Sequence, residues 1–448
     1  MSPVEQMIES IPESAWQVSR RSFMKRLVGG VAAASLLSGS RLASAATLAP
    51  LAETAKALDG KEMGDERFWG LVKDQFILKE GLALMNAANL CPSPYPVMET
   101  VFNLTRDIDR DASFPNRAKF SEMQETTRKK LEELLGAAPD TIALVRNTSE
   151  ANNVVSSGIV LKPGDEVVLS DLNHPSNGVA WEVKARRYGF TIKKVHIDVP
   201  PKSPDDIIKA FRSALTPATR VLAFTHVAST SSGVLMPAKE LCMIARERGI
   251  WAHVDGAQSF GALNVNLTDM GCDSYSGSAH KWFMGPKEVG ILYVRKERVD
   301  ALWPSIISVP WRDQIVGARK FEALGQRDDS AIAAVGRTVD FHNMIGKARV
   351  EARMRAIATA IKEGITKIPG VQLYASMAPE LSAGVIIFKP GTADPRKAFT
   401  KLYEKFQIAG ASSGGETPGV RLSPHIYNTM AEVDRVLAAV SDIMKNGA

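Results

Sequence analysis

The rhythm of apolar and polar positions changes along the chain. Residues 118–136 place apolar side chains at spacings of three and four and stop at Gly136, which predicts an amphipathic helix. From there to residue 294, short apolar runs of strand length alternate with helical stretches. The pattern predicts strands over 141–145, 166–170, 191–195, 220–225, 251–254 and 289–294. Helices are predicted between them over 149–160, 174–188, 207–214 and 237–248. Near-continuous apolar strands separated by helices imply parallel βαβ units, an α/β sheet covered by helices on both faces. Beyond residue 294 the rhythm shifts to one long helical stretch over 329–366, a strand over 384–388, and helices over 395–404 and 430–444. The expected division is a leader over 1–46, a helical entry segment over 47–85, a large domain over 86–330 and a smaller α+β C-terminal domain over 331–448.

The leader has its own grammar. Ser19-Arg20-Arg21-Ser22-Phe23-Met24-Lys25 precedes a mildly apolar, Gly- and Ala-rich stretch over 27–38, and Ala43-Ser44-Ala45 offers a small-residue cleavage site. The paired arginines resemble a twin-arginine signal, which directs folded proteins across a bacterial membrane and implies an export-machinery partner and a periplasmic destination. A folded-state route suits a protein that acquires a cofactor before it leaves the cytoplasm. After residue 46 no apolar run reaches membrane-spanning length, so no stable membrane insertion is expected.

Composition narrows the classes further. With 45% hydrophobic and 23% charged residues over 448 positions, the chain matches a globular protein with a sizeable core and excludes a disordered or collagen-like one. Of the net charge of +6, the leader accounts for +2, five basic side chains against three acidic ones. The remaining +4 is spread without a basic block, so nucleic-acid binding is not expected. Three scattered cysteines, Cys91, Cys242 and Cys272, form no CxxC pair, and neither a metal cluster nor a disulfide framework is implied.

The chemistry concentrates at predicted strand ends. Val254-Asp255-Gly256-Ala257-Gln258 closes one strand, and Ser278-Ala279-His280-Lys281 follows before the next. Ligands of open α/β sheets gather at the carboxyl ends of strands. A carboxylate there can hold a protonated ring nitrogen, and a lysine on the next turn can form a Schiff base with an aldehyde. Pyridoxal phosphate requires that pairing. Taken singly, the aspartate is an ordinary turn residue and the lysine an ordinary solvated one; the joint occurrence carries the reading. Upstream, Thr148 and Ser149 sit where a strand passes into a helix, either as a phosphate cradle or as ordinary N-caps. His174 opens the following helix, as a ring-stacking imidazole or as a capping residue.

With Arg421-Leu-Ser-Pro-His-Ile-Tyr-Asn-Thr429, these motifs resemble the class V aminotransferases of pyridoxal-phosphate fold type I. That family includes cysteine desulfurases and isopenicillin N epimerase-like enzymes. The resemblance spans residues 80–445 and implies a large domain with a mostly parallel sheet, a smaller C-terminal domain and a homodimer. It makes Lys281 the Schiff-base lysine and proton carrier, Asp255 the pyridinium partner, Gln258 the donor to the ring hydroxyl oxygen and His174 the stacking ring. Thr148, Ser149, Ser278 and His280 hold the phosphate, and Arg421 receives the substrate carboxylate. Asn86 and Asn89, in Asn86-Ala-Ala-Asn89-Leu-Cys91-Pro92, look like the stretch that lines the substrate mouth of epimerase-like members, although the residues alone fit a capped Pro-rich turn equally well.

Two departures qualify the resemblance. No cysteine follows Cys272, so a desulfurase's persulfide nucleophile is missing, and Gly325-Gln326 stands where relatives often carry Gly-Thr reaching the neighbouring subunit's phosphate. The implied activity is transamination or epimerisation at the α-carbon of an amino acid or amino-acid-containing metabolite. Oxidative deamination, decarboxylation or C–S lyase tailoring of an exported peptide such as a siderophore is the alternative. A catalytically silent binding protein is the reading from a different class.

Overall fold

A computed structural model describes residues 66–230, 232–308, 315–414 and 417–448. The leader and its twin-arginine motif therefore lie outside the described residues. The central sheet has seven strands: β1 (Ile142–Val145), β2 (Glu166–Ser170), β3 (Thr191–Val195), β4 (Thr219–Thr225), β5 (Trp251–Asp255), β6 (Ser274–Ser278) and β7 (Gly290–Val294). Their spatial order is β1-β7-β6-β5-β4-β2-β3. Pairings among β3, β2, β4, β5 and β6 are parallel, and β7 runs antiparallel to both β6 and β1.

Alternation along each strand splits the core into two layers. Ile142, Leu144, Val168, Leu222, Phe224 and Val254 face one cluster, and Ala143, Val145, Val167, Leu169, Val221 and Ala223 face the other. This two-period pattern, apolar on both sides, is why the strands read as continuous apolar runs. Helices α1 (Glu66–Lys73), α2 (Tyr95–Arg110) and α3 (Lys119–Leu135) precede the sheet. Helices α4 (Thr148–Gly158), α5 (Pro175–Tyr188), α6 (Pro204–Ala214) and α7 (Ala238–Glu247) connect its strands. α4 and α5 cover one face through Val154, Val155 and Trp181; α3, α6 and α7 cover the other through Leu131, Phe211 and Leu241.

The long helical stretch expected over 329–366 is two helices, α8 (Asp329–Ile345) and α9 (Lys347–Thr366). Gly346 breaks it at φ +93°, a conformation open to glycine and costly to other residues. A second sheet follows, all antiparallel, in the order β10 (Ala411–Ser413), β11 (Gly419–Leu422), β9 (Ile386–Pro390), β8 (Val371–Leu373). Helices α10 (Pro395–Phe406) and α11 (Met430–Asn446) pack on it with α9 through Ile361, Leu402, Val436 and Val440. The strand expected over 384–388 starts at Ile386. A cluster that includes Trp282, Met284, Phe341, Ile387 and Tyr427 ties the Lys281 loop and α8 to β9 of the second sheet. No helix among the described residues is long and apolar enough to cross a membrane.

Candidate active site

Five strand ends open onto one cleft. β5 ends in Asp255, β6 in Ser278, β1 leads through Asn147 into α4, β2 leads through Asn173 to His174, and β4 leads to His226. Gly290 opens β7 opposite Ser278, and its lack of a side chain is a packing requirement. A Cβ there would stand 2.6 Å from the Gly277 carbonyl and 2.7 Å from Asn147 Cα.

At the α4 end, Asn147 is the N-cap, its side chain accepting from Glu150 N at 3.1 Å. Of the two roles open to Thr148 and Ser149, N-capping is thereby taken by Asn147 instead. Thr148 is left to use its hydroxyl elsewhere, 2.8 Å from Ser278 Oγ, which also accepts Thr148 N–H at 2.9 Å. Ser149 is exposed beside them. Burial, with Lys281 and Lys287 nearby, pushes the His280 imidazole down to about 4. A helix N-terminus bearing two paired hydroxyls is suited to a phosphate dianion.

Behind the cleft, Asp255 is fully buried and fixed on both oxygens. Oδ1 accepts from Ala257 N and Oδ2 from Asn152 Nδ2, each at 3.0 Å. Asn152 Oδ1 in turn accepts from Ser276 Oγ at 2.7 Å and from His253 Nε2 at 3.0 Å. That leaves His253 Nδ1 to accept from the Ser274 hydroxyl at 2.9 Å, while Ser274 Oγ accepts from Trp251 Nε1 at 2.9 Å. Asn152, His253 and Ser276 were not singled out from sequence. The one signal was spacing: Asn152 lies one helical turn after Thr148 and so shares its face.

Gln258 donates to Ala88 O at 3.0 Å and accepts from Trp282 Nε1 at 2.7 Å, which fixes its amide and leaves one N–H to donate. His174 caps α5 with Nδ1 accepting from Ser176 N at 3.2 Å, so its neutral ring carries hydrogen on Nε2. Its backbone is pinned to β4 by Thr225 Oγ1 at 3.0 Å. Burial lowers the His174 pKa, Asp255 opposes that shift, and Lys281 and Arg421 reinforce it. Burial also lowers the Lys281 pKa, against Asp255 and with Arg421. These mutual influences place His174, Asp255, Lys281 and Arg421 within electrostatic reach of one another.

Arg421, on β11, reaches Ser229 O at 3.1 Å and Asn86 Oδ1 at 3.3 Å. Its Nε is buried without a partner, and among the described residues no carboxylate pairs with it. Asn86 thus belongs to the site. Asn89 is exposed on the turn that follows, with its backbone N–H on Asn86 O. Gln326 is engaged within its own chain, accepting from Arg117 and donating to Asp329 at 3.2 Å. No metal-binding group of His, Cys, Asp and Glu occurs among the described residues.

The family model for aminotransferase class V matches residues 106–436. The chain belongs to that family. It is 32% identical to an isopenicillin N epimerase of Amycolatopsis lactamdurans over 84% of this chain and 99% of that protein. It is 27% identical to a probable cysteine desulfurase of Methanothermobacter thermautotrophicus over 81% of this chain and 95% of that protein. Among solved structures, the apo cysteine desulfurase of Thermococcus onnurineus superposes with a TM-score of 0.76 at 24% identity, covering 84% of this chain and 97% of that one. A C-DES variant with glycine covalently linked to its PLP cofactor gives a TM-score of 0.76 at 21% identity over 83% and 99%. These structural likenesses show the fold: fold type I, with a mostly parallel central sheet.

The donor set fits pyridoxal phosphate. The α4 N-terminus could take the phosphate, Asp255 the ring nitrogen, the spare Gln258 N–H the ring hydroxyl and Lys281 the aldehyde. The hydrogen-bond partners of the Asp255 side chain, Asn152 and Ala257, are both neutral.

Proposed function

We propose that this family member is a pyridoxal-phosphate enzyme acting at the α-carbon of an amino acid or an amino-acid-containing metabolite, by epimerisation or transamination. One observation carries the reading. Arg421 is a part-buried cation with an unpartnered Nε and, among the described residues, no carboxylate of its own, within electrostatic reach of Lys281 and His174. A planar guanidinium held by Asn86 and Ser229 O is prepared for a substrate carboxylate. The bound cofactor supplies an electron sink for the pair released when a bond to the α-carbon breaks. Asp255, held by Asn152 and Ala257, keeps a proton on the ring nitrogen. Lys281, whose pKa burial lowers, would accept and return the α-proton. His174 would lie over the ring and offer an Nε2–H donor.

Epimerase-type chemistry is favoured over desulfurase chemistry by the thiols. All three cysteines are buried, and burial pushes the Cys91 thiol up to about 12. No accessible thiolate is therefore available among them to carry a persulfide. Homodimer formation and periplasmic export belong to the same reading. Export rests on Arg20-Arg21, and replacing both with lysine should leave a cofactor-loaded precursor in the cytoplasm.

Borohydride reduction of the loaded protein followed by peptide mapping tests the core of the proposal. Cofactor mass on Lys281 is expected, and Lys281→Ala should lose both the label and turnover. A label on any other lysine overturns the assignment. Spectral titration with free amino acids against their decarboxylated amines then tests the carboxylate requirement, since equal response to both would remove Arg421 from substrate binding.

A further inference from the structure

The turn that carries Lys281 has four successive carbonyls, each taken by a donor. His280 O accepts from Cys91 N and Lys281 O from Met284 N, both at 2.8 Å. Trp282 O accepts from His425 Nε2 at 2.7 Å, and Phe283 O from His342 Nε2 at 3.0 Å. A carbonyl oxygen can only accept, so both imidazoles carry their proton on Nε2.

The two histidines come from distant parts of the chain, His342 from α8 and His425 from the segment after β11. Both are buried and packed on the residues they grip. His342 stacks on Phe283 at 4.7 Å and 9°, and His425 meets Trp282 edge-on at 5.3 Å. Aromatic rings flank both, Phe283 at His342 and Trp282 and Tyr427 at His425. Burying an imidazole there is costly unless its N–H is used, and each N–H is used on this turn. Burial holds the His342 ring neutral, at about 4, and the His425 ring at about 3; His425 Nδ1 has no partner that could receive a second proton. The next residue, Met284, sits at φ +59°, a left-handed conformation that a side chain this size keeps only where its surroundings over-determine it.

We propose that His342 and His425 are positioning residues for Lys281, gripping the backbone of its turn so that the amine is held in the field of Asp255 and Arg421. The functional meaning rests on the cofactor reading above, whereas the positioning itself does not.

The test uses the cofactor-free full-length protein. Trace acetylation across a pH series, read by mass spectrometry, gives the reactivity and midpoint of Lys281 relative to exposed Lys389 in the same molecule. The titratable and charged groups facing Lys281 are Asp255 and Arg421, with His174 and His280 nearby, and none of them is altered. His342→Phe and His425→Phe keep an aromatic ring but lose the donor. Each is expected to move the Lys281 midpoint by about half a pH unit or more and to change its labelling rate several-fold, with Lys389 unmoved. His→Gln at either position, with an amide donor, should return both values toward the parent. Folded phenylalanine variants that label Lys281 like the parent overturn the proposal, as do glutamine variants that shift as far as the phenylalanine ones. If only the glutamine variants fold, the histidines serve the fold alone and the proposal fails. A borohydride label on another lysine would defeat the cofactor assignment but leave these labelling results standing.

Discussion

Two polar regions meet at Asp255, and they differ in how their groups are paired. Behind it, Trp251, Ser274, His253, Asn152 and Ser276 form a buried web in which each donor finds an acceptor inside the chain. In front of it, Lys281 and Arg421 are part-buried basic groups, with one Arg421 donor left unmet. A satisfied buried web fixes geometry and costs little once formed, whereas unmet charge in a low dielectric is tolerated where a ligand completes it. The web is scaffold and the cleft is the place for chemistry, with Asp255 belonging to both.

Acid should have the largest effect, acting on His253 in the web and on buried histidines elsewhere in the fold. Burial holds His253, His226 and His342 at about 4 and His425 at about 3, against an ordinary value of 6.5. Above pH 6.5 the folded and unfolded chains both keep these rings neutral. As pH falls from 6.5 toward 4, the unfolded chain takes up protons that the folded chain refuses, so stability declines throughout that window. Urea midpoints measured from pH 7 to pH 4.5 should fall steadily, and a flat profile would mean that these rings are solvated.

Asp255→Ala removes the group the two regions share. Losing a buried carboxylate that faces a bound cation should cost about 4 kcal/mol, on the order of a thousandfold in turnover. Near-parent turnover in a folded variant would place the ring nitrogen elsewhere. Arg421→Ala acts on the cleft alone, with about 2–5 kcal/mol lost from substrate binding and the cofactor spectrum unchanged. Arg421→Lys should recover little of this, because an ammonium cannot reproduce the fork. Asn152→Ala acts on the web. It strands Asp255 Oδ2, His253 Nε2 and the Ser276 hydroxyl, for about 1–3 kcal/mol of stability by denaturant melts. If Asn152→Ala instead left stability intact and abolished cofactor binding, the line between scaffold and cleft would have to be redrawn.

The same contrast governs what could be read before the structure. Strands β2 and β3 fall where the apolar runs place them, and β1, β4, β5 and β7 shift by a residue at one end. β6 was not anticipated, because Ser-Tyr-Ser-Gly-Ser carries no apolar pattern. All five of its residues are nevertheless buried, with Ser274, Ser276 and Ser278 bonded to Trp251, Asn152 and Thr148. Helix α2 was missed for a related reason: Pro92 and Pro94 read as a turn, whereas the helix starts directly after them and holds Pro96 in its first turn, where a missing N–H costs nothing.

The sequence by itself determined the alternation of strands and helices, the strand-end position of Asp255, and the family motifs around Lys281 and Arg421. Each of these is local: periodicity, capping and short spacing act within a few residues of one another. Tertiary structure alone decided which polar groups are paired. Asn152 meets Asp255 across 103 positions, His342 reaches Phe283 across 59 and His425 reaches Trp282 across 143. A hydrogen bond between distant residues leaves no periodic trace in either segment, and its worth depends on a burial that only the assembled core creates.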